Sequence, residues 1–320
     1  MNPVALLASF GTSVETVLEA SKIDDAVEGR VLLLDADSIC YHATFDCAKL
    51  ETAQRRAVTK VYEAMYLTKA SHVRVYTTPE GCWKNGRRLL NAVNVYQFSR
   101  SAKTKPPLLQ ELRNSFPTLF ADDPQVTVIA SMDIEADDAI IIDAHVDKNY
   151  VVLSEDKDLN LTPSVKYEIK TGRMRSIADT YGWLAETTTP AGKLKIDGHG
   201  TKFFWCQMLM GDSADNVKGI QKYKGKLCGP AGALNALVDI QSESAAANLV
   251  IMGYSAISQN ILPEAEALWL LRTRDDSALK YIWSLDLNPE ARAYITHCTT
   301  LPLYMTEEQY IERTNPEWQS

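Results

Sequence analysis

The chain has 320 residues, of which 46% are apolar and 23% are charged, and its formal net charge is −8. This composition is that of an ordinary globular protein and disfavours a disordered chain. The longest apolar runs, such as 31–34 and 139–142, are far shorter than the roughly 18 residues that a membrane span requires, so we expect no membrane partner. The N-terminus does not look like a signal peptide, and the sequence therefore predicts a cytoplasmic protein.

Cysteines and histidines form no recognisable metal or redox motif. The six cysteines are scattered without a close pair, and the five histidines are equally dispersed. We therefore expect reduced thiols, no zinc site and no histidine-based nucleophile.

The distribution of charge is more informative than its sum. A net negative charge alone argues against a nucleic-acid partner, because phosphate binding normally uses clustered Lys and Arg. Two basic islands without acids nevertheless stand out. The first holds Lys84, Arg87, Arg88, Arg100, Lys103 and Lys105. The second holds Lys218, Lys222, Lys224 and Lys226. Taken separately, either island is equally well explained as a solvated surface.

The first half of the chain alternates between strand and helix signals. In chain order, the predicted elements are a leader at 1–29, a buried strand at 31–34, helical spacing at 38–70, a second strand at 73–76, a third strand at 126–130, a helix at 135–146 and a fourth strand at 150–153. This alternation indicates βαβ units. It predicts an α/β fold with a mainly parallel central sheet flanked by helices.

The second half of the chain has mostly helical spacing. After a small hairpin at 166–177, the helical pattern begins at Lys202, and a connection rich in Gly and Pro at 219–232 separates two helical pieces. Another amphipathic helical region covers 263–283. The simplest organisation is a leader at 1–29, an α/β core at 30–200 and a helical region at 201–320.

Acidic residues follow three of the predicted strands. The carboxyl ends of parallel strands open on the same edge of a sheet, so residues just after different strands converge there. The groups in question are Asp35 and Asp37 after the first strand, Glu135, Asp137 and Asp138 after the third, and Asp156 and Asp158 after the fourth. A fourth group, Asp212 and Asp215, stands three residues apart and can share one face of a helical turn.

So many carboxylates in one cleft would repel each other unless cations neutralised them. Ligation by oxygen alone favours Mg²⁺ or Mn²⁺, and a pair of such ions is suited to phosphoryl transfer. Each motif alone has another explanation, since Asp and Glu commonly cap helices. Four such motifs in this order indicate a metal site.

The motifs resemble those of the 5′-nuclease superfamily, which includes flap endonucleases and 5′→3′ exonucleases. They read Leu-Asp-Ala-Asp at 34–37, Glu-Ala-Asp-Asp at 135–138, Ser-Glu-Asp-Lys-Asp at 154–158 and Gly-Asp-Ser-Ala-Asp-Asn at 211–216. The size of the chain is most similar to that of a phage member. The resemblance implies a PIN-like core, a helical arch at about 81–115 and a helix-turn-helix-like duplex-binding module at about 211–240.

The resemblance also implies site residues and cofactors. Two ions, Mg²⁺ or Mn²⁺, are expected. One is assigned to Asp35, Glu135, Asp137, Asp138 and Asp156, as ligands or as partners of ligands. The other is assigned to Asp158, Asp212 and Asp215. Asp37 lies beside a ligand position, where it is expected to cap a helix or support a ligand.

Basic residues are assigned in the same way. The cations expected to act on the scissile phosphate are Arg87, Arg88, Arg100 and Lys84. Contacts to the DNA backbone are expected from Lys103, Lys105, Lys218, Lys222, Lys224 and Lys226. The duplex-binding module of the superfamily often holds K⁺ as well.

Three departures from the superfamily pattern are visible. Where an acidic residue usually follows the second strand, this chain has Thr78, so either Glu80 substitutes or one ligand is missing. The arch motif Tyr-Lys-x-x-Arg is replaced by a sequence with Gln97 in the position of the lysine. The turn of the duplex-binding module is irregular around Tyr223 and 228–230, which weakens the K⁺ expectation most.

The sequence therefore predicts a metal-dependent 5′→3′ exonuclease or structure-specific 5′ nuclease. Its expected substrate is duplex DNA with a 5′ end or flap, and also the RNA strand of an RNA–DNA hybrid. A role in phage DNA replication or host DNA degradation, in the host cytoplasm, would follow. Two alternatives stay open: a catalytically impaired nucleic-acid-binding protein, favoured by Thr78, and a small-molecule phosphohydrolase, which leaves the lysines at 218–226 unexplained.

Overall fold

A computed structural model describes residues 27–100, 104–177, 180–189 and 191–315 of the chain. Most of the predicted leader therefore lies outside the described residues. The chain divides into two compact units. The first comprises Met1–Cys82, Lys105–Leu159 and Pro163–Ala178, and the second comprises Trp83–Thr104, Asn160–Thr162 and Asp179–Ser320.

The first unit is built from alternating strands and helices. In chain order they are β1 (Val27–Asp35), α1 (Ala36–Thr44), α2 (Leu50–Thr68), β2 (Ala70–Thr77), α3 (Leu109–Leu119), β3 (Val126–Ala130), α4 (Ala136–Val146), β4 (Tyr150–Leu153), β5 (Ser164–Glu168) and β6 (Arg173–Ile177). The predicted third and fourth strands are confirmed at their predicted bounds, and β1 is longer than the apolar run that predicted it.

Six strands of this unit form one sheet in the order β3-β2-β1-β4-β5-β6. Neighbouring strands from β3 through β5 are parallel, and β6 alone pairs antiparallel, with β5. The prediction of an α/β fold with a mainly parallel sheet is confirmed. Because the parallel strands share one direction, β1 and β4 end side by side at the same edge.

The apolar strand β1 is buried on both faces, as its continuous run of leucines requires. Leu32 and Leu34 are fully buried in a core that includes Ala57 of α2 and Phe116 of α3. Leu33 is equally buried but points to the opposite face, where α4 packs against the sheet. Helices on both faces therefore hold the strand ends in fixed positions.

The second unit combines a hairpin with short helices. In chain order its elements are β7 (Trp183–Thr188), β8 (Leu194–His199), α5 (Gly200–Met210), α6 (Pro230–Leu237), α7 (Glu243–Ser255), α8 (Leu262–Leu268), α9 (Ala278–Trp283), α10 (Pro289–Cys298) and α11 (Glu307–Thr314). Strands β7 and β8 are antiparallel and form a sheet of their own. The sequence did not predict this hairpin, and the predicted helical region at 263–283 consists of two helices, α8 and α9.

The segment expected to form a helical arch has a different local structure. Its described residues from Trp83 to Arg100 contain two 3₁₀-helices, Lys84–Leu89 and Phe98–Arg100, rather than an α-helix. These residues group with the second unit. Among the described residues, no helix has the length and apolar character that crossing a bilayer would take.

Candidate metal centre and basic segments

The acidic residues of the first unit are brought together at the carboxyl edge of its sheet. Asp35 is the last residue of β1, and Ser154 follows the last residue of the adjacent strand β4. Helix α4 begins after Glu135, which occupies its N-cap position, and carries Asp137 in its first turn. We call Asp35, Asp37, Glu135, Asp137 and Asp156 the acidic cluster.

Asp35 is held at both of its carboxylate oxygens. Oδ2 accepts a hydrogen bond from Ser154 Oγ at 3.1 Å, and Oδ1 accepts from the amide of Asp37 at 3.0 Å, so Asp35 is the N-cap of α1. The cap is thus Asp35 and not Asp37. Burial raises the pKa of Asp35 to about 6, and the negative charges of Asp37 and Asp156 contribute to the increase.

Asp137 has the most unfavourable electrostatic environment in the cluster. Its pKa is raised well above the ordinary value, first by burial and then by repulsion from Asp156, Asp35, Glu135 and Asp37. Repulsion from four carboxylates shows that they lie close to Asp137. Such a group carries a proton, or a cation must neutralise it.

The turn after β4 positions Asp156. Ser154 Oγ accepts from the amide of Asp156 at 3.0 Å, and Asp156 Oδ1 accepts from the amide of Asp158 at 2.9 Å. Asp158 forms an ion pair with Lys157 at 2.8 Å. Ser154 therefore supports two members of the cluster at once, because it also donates to Asp35.

Asp138, the fourth residue of the Glu-Ala-Asp-Asp motif, is fully buried on α4, and Glu135 is 8% exposed. Asp138 is not among the groups whose charge raises the pKa of Asp35 or Asp137.

Thr78 occupies the position where the superfamily pattern has an acid, and its local role is structural. Its hydroxyl accepts a hydrogen bond from the amide of Ala136 at 3.0 Å, at the start of α4. Its own amide donates to Asp37 Oδ1 at 3.2 Å, and Arg113 Nε lies 3.0 Å from the same oxygen. Glu80 is exposed and is not among the carboxylates that raise the pKa of Asp137.

The donor set of the acidic cluster fits a hard divalent cation. Carboxylate oxygen is the ligand that Mg²⁺ and Mn²⁺ prefer, and the cluster consists of carboxylates alone. The raised pKa values of Asp35 and Asp137 have repulsion among these groups as one of their causes. A bound cation would remove that repulsion.

In the second unit, Asp212 and Asp215 lie in a tightly bonded loop after α5. Asp212 Oδ1 accepts from the amide of Ala214 at 2.7 Å, and Oδ2 accepts from Gln207 Nε2 at 3.2 Å. The backbones of Asp212 and Val217 exchange two hydrogen bonds of 2.8 Å. Both aspartates are therefore fixed by their own loop and by α5.

Two glycines allow this loop to close. Gly211 has φ 76°, and a Cβ there would lie 2.5 Å from the carbonyl oxygens of Val217 and Lys218. Gly219 has φ 66°, and its Cβ would lie 2.6 Å from the nitrogen of Gly211. Only glycine fits this close approach of two backbone segments.

The segment expected to grip the scissile phosphate is bonded to the Asp215 loop within the second unit. Asp215 Oδ1 accepts from Arg100 Nη2 at 2.6 Å and from Gln97 Nε2 at 2.8 Å. The amide of Gln97 donates to the carbonyl of Asp215 at 2.8 Å, and Arg100 Nε donates to the carbonyl of Ala214 at 3.0 Å. Gln97 is thus a partner of Asp215.

The other predicted cations of this segment differ in exposure. Arg87 is 3% exposed and donates to the backbone carbonyls of Glu266 and Trp269 at 3.4 and 2.6 Å. Arg88 is exposed, lies over the Trp83 ring and forms an ion pair with Glu307 at 3.2 Å.

The remaining lysines of the first island are less enclosed. Lys84 donates to Gln97 Oε1 at 2.6 Å, and Lys105 is exposed. Lys103 lies outside the described residues.

The second basic island forms an exposed loop between α5 and α6. Lys218, Lys222, Lys224 and Lys226 are all exposed. The base of the loop is fixed by the buried Glu264, which accepts from the amide of Gly219 at 3.0 Å. This arrangement presents several ammonium groups on a structured base, as phosphate contacts require.

Sequence reasoning missed Ser154, Arg113, Gln97 and Lys166 as members of these sites. Ser154 could have been found, because it begins the motif that contains Asp156 and a Ser two residues before an Asp commonly bonds to its amide. The partners of Arg113 and Gln97 lie 76 and 118 residues away, and no local signal identifies them.

Comparisons with known proteins found structural similarity. No protein-family model matches the chain, and no curated protein matches it. Among solved structures, the bacteriophage T5 D15 protein co-crystallised with metal ions is 14% identical, with 89% of this chain and 100% of that chain covered and a TM-score of 0.48. A mutant of the T5 5′-exonuclease is also 14% identical, with 89% and 99% covered and a TM-score of 0.42.

A third similar structure is the catalytic core of Rad2 in complex with a DNA substrate, at 10% identity, with 93% of this chain and 81% of that chain covered and a TM-score of 0.40. The chain is thus similar in structure to proteins of the group that its motifs resemble. Likenesses at this level establish no activity for this chain.

Proposed function

We propose that this protein is a divalent-metal-dependent 5′ nuclease that hydrolyses phosphodiester bonds in DNA. The observation that carries the proposal is the acidic cluster, in which Asp35, Asp137 and Asp156 meet at one edge of the sheet and repel each other. A self-repelling set of carboxylates is unfavourable by itself and is explained if cations bind there.

The chemistry follows from the donor set. Divalent ions bound by carboxylates stabilise the charge of a transferring phosphoryl group and the leaving oxygen. Asp35, Asp137 and Asp156 would hold the first ion, with Glu135 and Asp138 as further ligands or partners of ligands. Ser154 orients Asp35 and Asp156 through its hydroxyl, so the two carboxylates are placed before any ion arrives.

A second ion is assigned by the motif resemblance to Asp158, Asp212 and Asp215. Support comes from the bonding of the Asp212 loop, which fixes both of its aspartates. Mg²⁺ or Mn²⁺ would serve at both positions. K⁺ in the duplex-binding module is part of the same proposal.

The basic residues would bind and orient the DNA. Lys218, Lys222, Lys224 and Lys226 are exposed and suited to backbone phosphates, so we propose recognition of duplex structure or 5′ ends without base reading. Lys105 and Lys103 extend this role. For the scissile phosphate, the half-buried Lys84 and the exposed Arg88 and Arg100 are better placed than the buried Arg87.

The direct test compares wild type with Asp156→Ala on 5′-labelled duplex, flap and RNA–DNA hybrid substrates, with Mg²⁺ or with chelator. Wild type should cleave in Mg²⁺ alone, and the variant should lose cleavage by on the order of a thousandfold. Asp122→Ala is the matched control, because Asp122 is an exposed carboxylate before β3, outside the acidic cluster. Equal cleavage by wild type and Asp156→Ala would refute the proposal.

A second candidate function is favoured by Thr78, whose hydroxyl is used as a helix partner at the position where the motif pattern has an acid. In that case the protein would bind nucleic acid without cleaving it. Binding of the same labelled substrates by gel shift, with no cleavage under any of the metal conditions, would support this alternative. Replacing all four loop lysines by Ala should then reduce the slope of log K against log salt by about one per lost phosphate contact.

A biological role in phage DNA replication or host DNA degradation, in the host cytoplasm, is the extension of this proposal that the motif resemblance supports. The products of the labelled assay distinguish the modes of cleavage. Mononucleotides released from the 5′ end indicate an exonuclease, and a released flap indicates structure-specific cutting.

A further inference from the structure

A buried lysine lies beside the acidic cluster. Lys166 of β5 is 7% exposed, and its Nζ donates to the backbone carbonyl of Asp156 at 3.5 Å. Its neighbour Tyr167 points into the core between the sheet and α2, so Lys166 points to the opposite face, where α4 packs. The side chain therefore shares the face of the sheet that carries Asp137.

The charges around Lys166 are those of the cluster. Asp156, Asp137 and Glu168 attract its ammonium group, and the charge of Arg175 on β6 opposes it. Burying an ammonium is unfavourable unless nearby negative charge compensates it. Lys166 and the cluster thus compensate each other, because each carries the charge that the other lacks.

Two other cations contact acidic residues in this region, but they are more exposed. Arg113 pairs with Asp37 and has a side-chain exposure of 19%, and Lys157 pairs with Asp158 with an exposure of 29%. Long side chains with access to water can move away when another cation binds. Lys166, enclosed between β4, β6 and α4, cannot do so without breaking its packing.

We propose that Lys166 is a built-in counter-cation of the acidic cluster, which stabilises the metal-free protein and lowers the affinity of the same carboxylates for a divalent ion. The inference rests on the proposed function, since it concerns the ion that the cluster would bind. A divalent ion that enters the cluster must bind against the repulsion of a fixed ammonium. The residue therefore sets the metal concentration at which the site fills.

The test uses Lys166→Met, which keeps the length of the side chain and removes its charge. Its affinity for Mn²⁺ and Mg²⁺, measured by isothermal titration calorimetry, should be about tenfold tighter than that of wild type. Its melting temperature in chelator should fall, and the gain in melting temperature on adding metal should grow. Lys166→Arg, which keeps the charge, should bind the ions as wild type does.

Lys170→Met is the matched control, because it removes the same charge from an exposed turn between β5 and β6. Unchanged or weaker ion affinity in Lys166→Met, or an equal change in Lys170→Met, would overturn the proposal. If Lys166→Met does not fold in chelator, adding Asp137→Asn should restore folding by removing one repelling charge, and failure to do so contradicts the proposal.

The proposed function fails separately. Absence of ion binding by wild type and by every variant would contradict a metal-dependent nuclease. A lower melting temperature of Lys166→Met alone, in chelator, would in that case still support its role as counter-cation.

Discussion

The two units both carry aspartates in motifs of the same kind, but in opposite electrostatic states. In the first unit, Asp137 is repelled by four carboxylates, and Asp35 by two. In the second unit, Asp215 accepts hydrogen bonds from Arg100 and Gln97, and Asp212 from Gln207. The acidic cluster therefore stores unfavourable energy that a cation can release, whereas Asp215 already has a cationic partner.

The sharpest test of this difference removes one charge from the cluster. Asp137→Asn should lower metal-dependent cleavage by on the order of a thousandfold. In chelator the same variant should be more stable than wild type, by about 1 kcal/mol, because it removes a repelled carboxylate. Urea unfolding and the labelled cleavage assay measure the two effects. Asp122→Asn controls for the loss of an exposed carboxylate, and a lower stability of Asp137→Asn would show that the cluster is not strained.

The matching change in the second unit should have the opposite sign. Asp215→Asn should lower stability by about 2 kcal/mol, because hydrogen bonds to a charged acceptor are among the stronger ones and Arg100 would lose its partner. Urea unfolding in chelator is the measurement, and Arg100→Met should produce a smaller part of the same loss. Increased stability of Asp215→Asn would remove the contrast between the two regions.

Substitutions of Thr78 should have the smallest effect. Thr78→Val should cost about 1 kcal/mol, because the hydroxyl that accepts from the first amide of α4 is lost. Thr78→Asp keeps an acceptor at that amide but adds a negative charge beside Asp37. It should therefore lower the stability in chelator and recover it in Mg²⁺, as followed by melting temperature. Equal behaviour of the two variants would indicate that position 78 is too far from the cluster to contribute charge.

Much of the first unit could be predicted from local sequence patterns. The strand at Val126–Ala130 and the strand at Tyr150–Leu153 are short apolar runs bounded by polar residues, and helix α4 begins after an acidic residue, as helix starts commonly do. The position of the acids at the strand ends followed from the strand order. Local patterns suffice here because each element buries its own apolar residues.

The second unit shows where such patterns fail. Hairpin β7–β8 has many polar residues, and its strands lack the apolar alternation that would identify them. The segment from Trp83 to Arg100 was expected to be helical, but Arg87 bonds to Trp269 and Arg100 bonds to Asp215. Contacts across more than a hundred residues decide its conformation, and no local propensity reports them.

The site was likewise predicted in part. Sequence order identified the acidic residues that meet at the sheet edge, because parallel strands end together. It could not identify Lys166, since a lysine on a strand is ordinarily a surface residue and only the packing of α4 on that face makes it buried.

The glycine contact at the Asp212 loop has a consequence for how this protein tolerates mutation. Gly211 and Gly219 touch each other's backbone, with no room for a Cβ at either position. In a saturation mutagenesis experiment scored by function, both positions should accept glycine alone and should be as intolerant as the metal ligands, although neither has a side chain. An intolerance profile would therefore mark four chain positions here, Gly211, Asp212, Asp215 and Gly219, of which two maintain the shape of the loop and two carry its charge.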